Sequence, residues 1–379
     1  MSRATQIYIQ TKLDERLQNG NLRSLSHSDG LTDFYSNDYL GFARDAKLHE
    51  AILKEISNNH LTTGSTGSRL LSGNIEYAEA LETHIATFHQ AAAALLFNSG
   101  FDANYGLLSS LPYKGHTIFY DALVHASIHD GIRNSKANSR LFEHNSVAQL
   151  RQLLANTQGL KFVVVESVYS MDGDMAPLNQ LCDLCDEFDA SLIVDEAHAT
   201  GLYGPNGGGL AQQLGVQDRC FARIYTYGKA MGCHGAAVVG SELLKSFLVN
   251  YCRPFIYSTA LPGHSLAAIK CAYNYLPHAH VQRTLLSELI EVFRGEAHSF
   301  SSFKLIDSHT VIQSIVVDRN NVKPLASFIR SNGLDVRAIM SPTVPKGSER
   351  IRICLHSFNT RQEVINLVSA IKEYETQVA

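Results

Sequence analysis

SLIVDEAHATG, residues 191–201, is the stretch whose reading decides this chain. An apolar run leads into an acid, and a histidine follows three positions later. Ile193, Asp195 and Ala197 alternate with Val194 and Glu196 across the pleat of a strand. Asp195 then stands at the carboxyl end of a buried strand, the edge at which open α/β sheets bind ligands. The segment TYGKAMG (226–232) follows and sets Lys229 among glycines. DEAH also marks the Mg-binding strand of some nucleic-acid helicases, but that reading requires a GxxxxGK[ST] loop. The Gly228-Lys229 pair is followed by Ala230 and has no glycine five residues ahead, so the helicase reading fails.

Outward from this strand, residues 76–240 alternate amphipathic helices with short apolar strands: EYAEALETHIATFH, AALLFNSG, HTIFYD, KFVVVESVY and SLIVDEAH. That order predicts an α/β unit with a largely parallel sheet covered on both faces. Beyond about residue 276 come a long helix, a VIQSIVV strand, an amphipathic KPLASFIRSNG helix, an RIRICLH strand and a last helix. The expected division is an N-terminal segment (1–40), a large domain (41–275) and a small C-terminal α+β domain (276–379), closely packed.

At 379 residues and 45% hydrophobic content the chain can bury a large core and a smaller one. Its 32 basic and 36 acidic residues, net charge −4, offer no general attraction for nucleic acid or an anionic membrane. The start, MSRATQIYIQTKLDERLQ, is a polar helical pattern without the apolar stretch of a signal peptide. No apolar run reaches the roughly 20 residues of a membrane span, so a cytoplasmic protein is expected. The seven cysteines are scattered and read as reduced thiols, Cys182 and Cys185 lying inside the helical pattern LNQLCDLCDEF. His125 and His129 have metal-ligand spacing, but no third ligand is evident and no metal is expected.

An acid beneath an apolar run and a lysine among glycines meet two needs of pyridoxal phosphate (PLP): a carboxylate that keeps the ring nitrogen protonated and an amine that holds the aldehyde as a Schiff base. Asp195 and Lys229 are the candidates. Taken singly, such an acid also serves as a cap or ion-pair partner, and such a lysine as a solvated turn residue. FNSGFDANYG (97–106) reads as a strand, a tight Ser-Gly turn and a helix start, whose free N–H groups suit a phosphate, though an ordinary βα turn looks the same. Thr226 adds a hydroxyl. His125, in DALVHASIHDG (121–131), sits just after a strand where an imidazole can stack on a flat ring or be a hydrogen-bonded structural residue.

Together with SNDYLGF (36–42), GSTGSRLLSGN (64–74), ESVYSMDGD (166–174), YSTALP (257–262) and PTVPKGSERIRICL (342–355), these segments make the chain resemble the α-oxoamine synthases. These fold-type I PLP enzymes join an amino acid to an acyl thioester with loss of carbon dioxide. The resemblance implies a mainly parallel seven-stranded sheet and a homodimer with shared active sites. It gives Lys229 the Schiff base and the Cα proton, and Asp195 the pyridinium nitrogen. His198 and Ser170 would approach the ring hydroxyl, and His125 would stack over the ring. Gly100 and Phe101 would offer amides to the phosphate beside Thr226, with Ser258 and Thr259 reaching it from the partner subunit. Arg352, assisted by Asn37, would grip the substrate carboxylate, a bidentate task that suits a guanidinium. Arg23 is a further substrate-binding candidate, and GSTGSRLLSGN would line the acyl entrance.

Among family activities, GSTGSRLLSGN resembles the members of biotin and of sphingolipid synthesis, and TYGKAMGCHGAAVVG with the compact chain most resembles the member that joins L-alanine to a pimeloyl thioester, on CoA or a carrier protein, in biotin synthesis. Serine palmitoyltransferase is the second reading. Thr66 and Phe101 differ from the Gly and Tyr common in the biotin enzymes. A non-catalytic PLP-binding partner subunit is the alternative of another class, and the presence of Lys229, Asp195, His198 and His125 argues against it.

Overall fold

The computed structural model describes residues 3–25, 27 and 30–378. Strands β1 (Ala93–Phe97), β2 (Thr117–Asp121), β3 (Asn138–Phe142), β4 (Lys161–Glu166), β5 (Ala190–Asp195), β6 (Ala222–Thr226) and β7 (Ala236–Gly240) form one sheet in the order β1-β7-β6-β5-β4-β2-β3. Every neighbouring pair is parallel except those of β7, which runs antiparallel to both β1 and β6. A parallel crossover needs a dozen or more residues. Only residues 227–235 separate β6 from β7, so the chain turns back on itself directly after the strand that ends at Thr226.

Strand β4 is buried along its length after Lys161. Its alternate residues feed two cores. Val163 and Val165 pack with Leu178, Leu181 and Cys182 of the helix Leu178–Phe188. Phe162 and Val164 pack with Ala103 and Leu107 of the helix Gly100–Ser110. A strand covered on both faces must be apolar throughout, and each such side chain contributes roughly 1.5–3 kcal/mol of burial. The edge strand β3, by contrast, exposes residues 138–141, of which Asn138, Ser139 and Arg140 are polar and discourage pairing with another sheet.

A second, antiparallel sheet follows: β8 (Lys304–Leu305), β9 (Ile312–Val316), β10 (Arg337–Ile339) and β11 (Arg350–Cys354), in the order β10-β11-β9-β8. The N-terminal segment is stitched to it. Thr32–Asp33 pairs in parallel with Leu334–Asp335, the Cys354 amide donates to Phe34 O at 2.8 Å, and the Ser357 amide donates to Tyr39 O at 2.8 Å. These bonds carry Asn37 and Tyr39 to the end of β11. The helix Arg3–Gln18 has no buried residue. No helix among the described residues is long and apolar enough to cross a membrane.

Candidate active site

The carboxyl ends of β4, β5 and β6 open into a cleft of roughly 710 Å³, walled by Gly100, Phe101, Asn104, His125, Ser127, Glu166, Asp195, His198, Thr226 and Lys229 among others. The alternation read from the sequence decides which acid enters it. Asp195 faces the cleft. Glu196 points to the opposite face, where Ser167 Oγ and the amides of Leu210 and Ala211 satisfy it at 2.7, 3.0 and 2.7 Å.

Asp195 is 3% exposed and held at both oxygens. The Ala197 amide donates to Oδ1 at 2.9 Å and Asn104 Nδ2 donates to Oδ2 at 2.6 Å. Asn104 also donates to Ser127 Oγ at 3.1 Å, and Ser127 Oγ lies 2.8 Å from His125 Nδ1. A polar chain thus ties the acid to the histidine. His125 caps the helix Ala126–Asn134 by accepting the Ser127 amide at Nδ1, which leaves Nε2 to carry the ring proton, and its ring is exposed at the cleft wall. Although the ring faces the open cleft, desolvation by the surrounding protein keeps its pKa below the ordinary imidazole value against the pull of Asp195.

Across the cleft, Lys229 Nζ lies 2.8 Å from His198 Nε2, and His198 Nδ1 lies 2.8 Å from Tyr39 OH. Tyr39 OH donates to Asn37 Oδ1 at 2.9 Å, and Arg352 Nη2 donates to the same oxygen at 3.1 Å. Burial lowers the Lys229 amine to about 8, although Asp195 and Glu166 oppose the shift. Burial, followed by the charges of Lys229 and Arg352, holds His198 well below its usual value, so the ring is neutral. Glu166, the register partner of Asp195, is pushed up to about 8 by burial and by that neighbouring acid.

The residues fit PLP. Thr226 Oγ1 is a buried hydroxyl with no hydrogen-bond partner among the described residues, and it sits beside the start of the helix Gly100–Ser110, where the Gly100 and Phe101 amides have no intrahelical acceptor and the Asp102 amide is capped by Ser99 Oγ at 3.0 Å. A Cβ on Gly100 would meet Thr226 Cγ2 at 2.4 Å, so the glycine lets the helix start close on that hydroxyl. One buried acid, one amine of lowered pKa, one exposed imidazole and one anion cradle converge within a single cleft.

Other expected residues border the cleft or line neighbouring hollows. Ser170 is buried, but its carbonyl receives Arg352 Nε at 2.7 Å and it borders an adjoining cleft of roughly 1320 Å³ that also meets His125. Arg23 stands in that second cleft, donating to Thr343 Oγ1 at 3.3 Å. Ser258 and Thr259 line a separate hollow with Arg69 and Phe255, where Asn98 Nδ2 donates to Thr259 O at 2.8 Å. In GSTGSRLLSGN, Arg69 is anchored on buried Glu82 at 2.7 Å while Leu70 and Leu71 are exposed. Asn104, Ser127, Glu166 and Tyr39 escaped the sequence reading. For Asn104 a signal existed: it is one helical turn beyond Gly100, on the face that looks into the anion cradle.

A doubly wound sheet with this cleft at its carboxyl edge defines a fold-type I PLP-dependent enzyme. The chain belongs to the class I and II aminotransferase family, whose signature matches residues 29–371, and within it to the α-oxoamine synthases. It is 42% identical to an 8-amino-7-oxononanoate synthase of Emericella nidulans, the match covering 89% of this chain and 88% of the relative. A serine palmitoyltransferase from S. paucimobilis, solved with bound PLP–myriocin aldimine, superposes with a TM-score of 0.90 at 24% identity over 100% of this chain and 99% of that one. An 8-amino-7-oxononanoate synthase from Francisella tularensis superposes at 0.80 with 28% identity over 93% of this chain and 100% of that one. The better superposition thus comes from the less similar sequence, so shape establishes the fold and sequence carries the discrimination between substrates. The chain is a PLP-dependent acyltransferase.

Proposed function

We propose that this chain is an 8-amino-7-oxononanoate synthase that condenses L-alanine with a pimeloyl thioester, releasing carbon dioxide and the thiol. The observation that carries the reading is the Lys229, His198, Asp195 and Arg352 constellation in a chain of such high identity to synthases of this name. Bound PLP supplies an electron sink for a carbanion at the amino-acid Cα.

The residues divide the work. Asp195, held by Asn104 and Ala197, would present its carboxylate to the ring nitrogen. The Lys229 amine, deprotonated above about 8, would hold the PLP aldehyde and serve as the base for the Cα proton. His125 supplies a flat face. Gly100, Phe101 and Thr226 take the phosphate, with Ser258 and Thr259 of a second copy completing it in a homodimer. The separate position of these two, and the wholly exposed helix Arg3–Gln18, support the dimer. The Arg352 guanidinium with Asn37 takes the amino-acid carboxylate. Ser170 orients Arg352 through its carbonyl, and Arg23 serves the acyl donor in the second cleft. We assign residues 41–275 to a large domain, 276–379 to a small one and 1–40 to a segment joining them, in a cytoplasmic enzyme.

The test follows thiol release by the PLP-loaded protein with pimeloyl-CoA plus L-alanine and with palmitoyl-CoA plus L-serine. Turnover with the first pair alone is expected. Turnover with the second alone would move the chain to sphingolipid chemistry, and silence with both would return it to a non-catalytic role.

A further inference from the structure

Outside the cleft, one charged cluster has a geometry that the reaction described above leaves unused. His144 is held at both ring nitrogens: Nδ1 lies 2.9 Å from Asp121 Oδ1 and Nε2 lies 2.7 Å from Asp174 Oδ2. Two carboxylates at these distances require both nitrogens to donate, so the ring is an imidazolium. The ring stands edge-on to Tyr169, with centroids 4.4 Å apart. Asn145, next in the chain, reinforces the same junction. Its amide donates to Asp121 Oδ2 at 2.8 Å, and its Nδ2 donates to Asp174 Oδ2 at 2.9 Å and Met175 O at 3.1 Å.

The two acids flank segments that form different walls of the second cleft, Ala122–Ala126 and Tyr169–Asp172. Asp121 ends β2 and accepts the Leu123 amide at 2.8 Å, shaping the turn that delivers Leu123, Val124 and His125. Asp174 closes the loop Tyr169–Asp174, where the Tyr169 amide donates to Asp174 O at 3.0 Å, and this loop presents Ser170 and Met171 to the same cleft. The loop's far side is tethered independently, by Ser314 Oγ to Met171 O at 2.6 Å. Without His144, Asp121 and Asp174 would face each other as two carboxylates with no cation between them.

We propose that His144 is a positioning residue for the acyl donor: it clamps the His125 turn to the Tyr169–Asp174 loop and so sets the width of the cleft that receives the acyl chain. This rests on the reading of the second cleft as the acyl-thioester site. The burial of the imidazolium is offset by its bonds to Asp121 and Asp174, which raise its pKa to about 10 and keep the clamp closed at neutral pH.

The experiment compares the PLP-loaded full chain with His144→Ala and, should that variant fail to fold, with Asp174→Asn. Two readouts are taken: amide hydrogen exchange over 121–126, 169–175 and 226–232, and kcat and KM for alanine and for acyl-CoA donors of graded length. A misplacement of about 1 Å costs up to ~100-fold. The expected result is faster exchange in the first two segments only, a KM for the acyl donor raised about tenfold, a changed preference among chain lengths, and an unchanged KM for alanine. Unchanged exchange in both loops, or a parallel rise of both KM values with loss of bound PLP, would overturn the proposal. A wild-type protein that turns over no acyl donor would instead count against the function assigned above, and the exchange pattern would still decide the clamp.

Discussion

Lys229 Nζ and His198 Nε2 lie 2.8 Å apart, and the histidine is neutral, so the ring accepts from the amine. The tautomer follows from the rest of the chain of bonds: Nδ1 carries the proton toward Tyr39 OH, which passes its own to Asn37. His198 is therefore a proton acceptor beside the amine rather than a second cation. His198→Ala should leave PLP bound yet lower kcat by about 100-fold, with KM for alanine changed far less. Equal losses in both constants would show that the ring only supports the fold.

Asp195→Asn retains shape but loses the charge that partners a protonated ring nitrogen. Steady-state kcat should fall about 10²–10³-fold while PLP stays attached to Lys229. Asn104→Ala, which removes the 2.6 Å bond to Asp195 Oδ2, should act in the same direction and more weakly. An Asn104→Ala enzyme with unaltered kcat would remove Asn104 from the site.

Arg352 spreads its guanidinium over Ser170 O, Asn37 Oδ1 and Cys354 Sγ. A lysine keeps the charge and loses the fork. Arg352→Lys should raise KM for alanine by about 10–100-fold, the loss of a charge-assisted bond of ~1.5–3 kcal/mol, and leave KM for the acyl donor close to wild type. The ratio of the two constants is the measurement.

The lowered Lys229 pKa predicts a pH effect before any substrate is added. Covalent capture of PLP needs the free amine, so its rate should climb with pH through about 8 and then level off, instead of climbing toward 10.5. Stability gives an independent check. Between about 8 and 10.5 the unfolded lysine binds more proton than the folded one, so Lys229 adds stability to the PLP-free chain as pH rises across that window, opposite in sign to His144, whose contribution is lost as pH rises through about 10; the lysine's share is the difference between wild type and Lys229→Met. Lys229→Met should abolish both capture and this gain, as read by absorbance and by denaturant titration.

Gly100→Ala tests the anion cradle without touching a charge. Its methyl would lie 2.4 Å from Thr226 Cγ2, so the helix start must move away from the hydroxyl. Overpacking of this kind costs about 1–3 kcal/mol. PLP affinity, measured by equilibrium dialysis, should fall by roughly that amount, and unchanged affinity would mean that the phosphate is held elsewhere.

What the sequence by itself determined is local. A strand's period of two put Asp195 and Glu196 on opposite faces, and the structure sends the first into the cleft and the second to Leu210 and Ala211. The switch from β-α alternation to a second pattern marked where the four-stranded sheet would appear, and the helix start at Gly100 was legible as a turn with free amides. The antiparallel course of β7 was hidden, because pairing direction depends on what lies between strands and on which edge receives the returning chain. The long-range residues were hidden too. Tyr39 reaches His198 only because residues 32–39 are bound to the distant strand β11 and its surroundings. Asn104, Ser127 and His125 become one chain of bonds only when the helices Gly100–Ser110 and Ala126–Asn134 pack together, and the His144 clamp requires acids from two separate loops. Side-chain alternation is a property of a few consecutive bonds, readable from neighbours alone. Hydrogen-bond partners far apart in the chain are set by the packing of whole elements, and that only the tertiary structure decided.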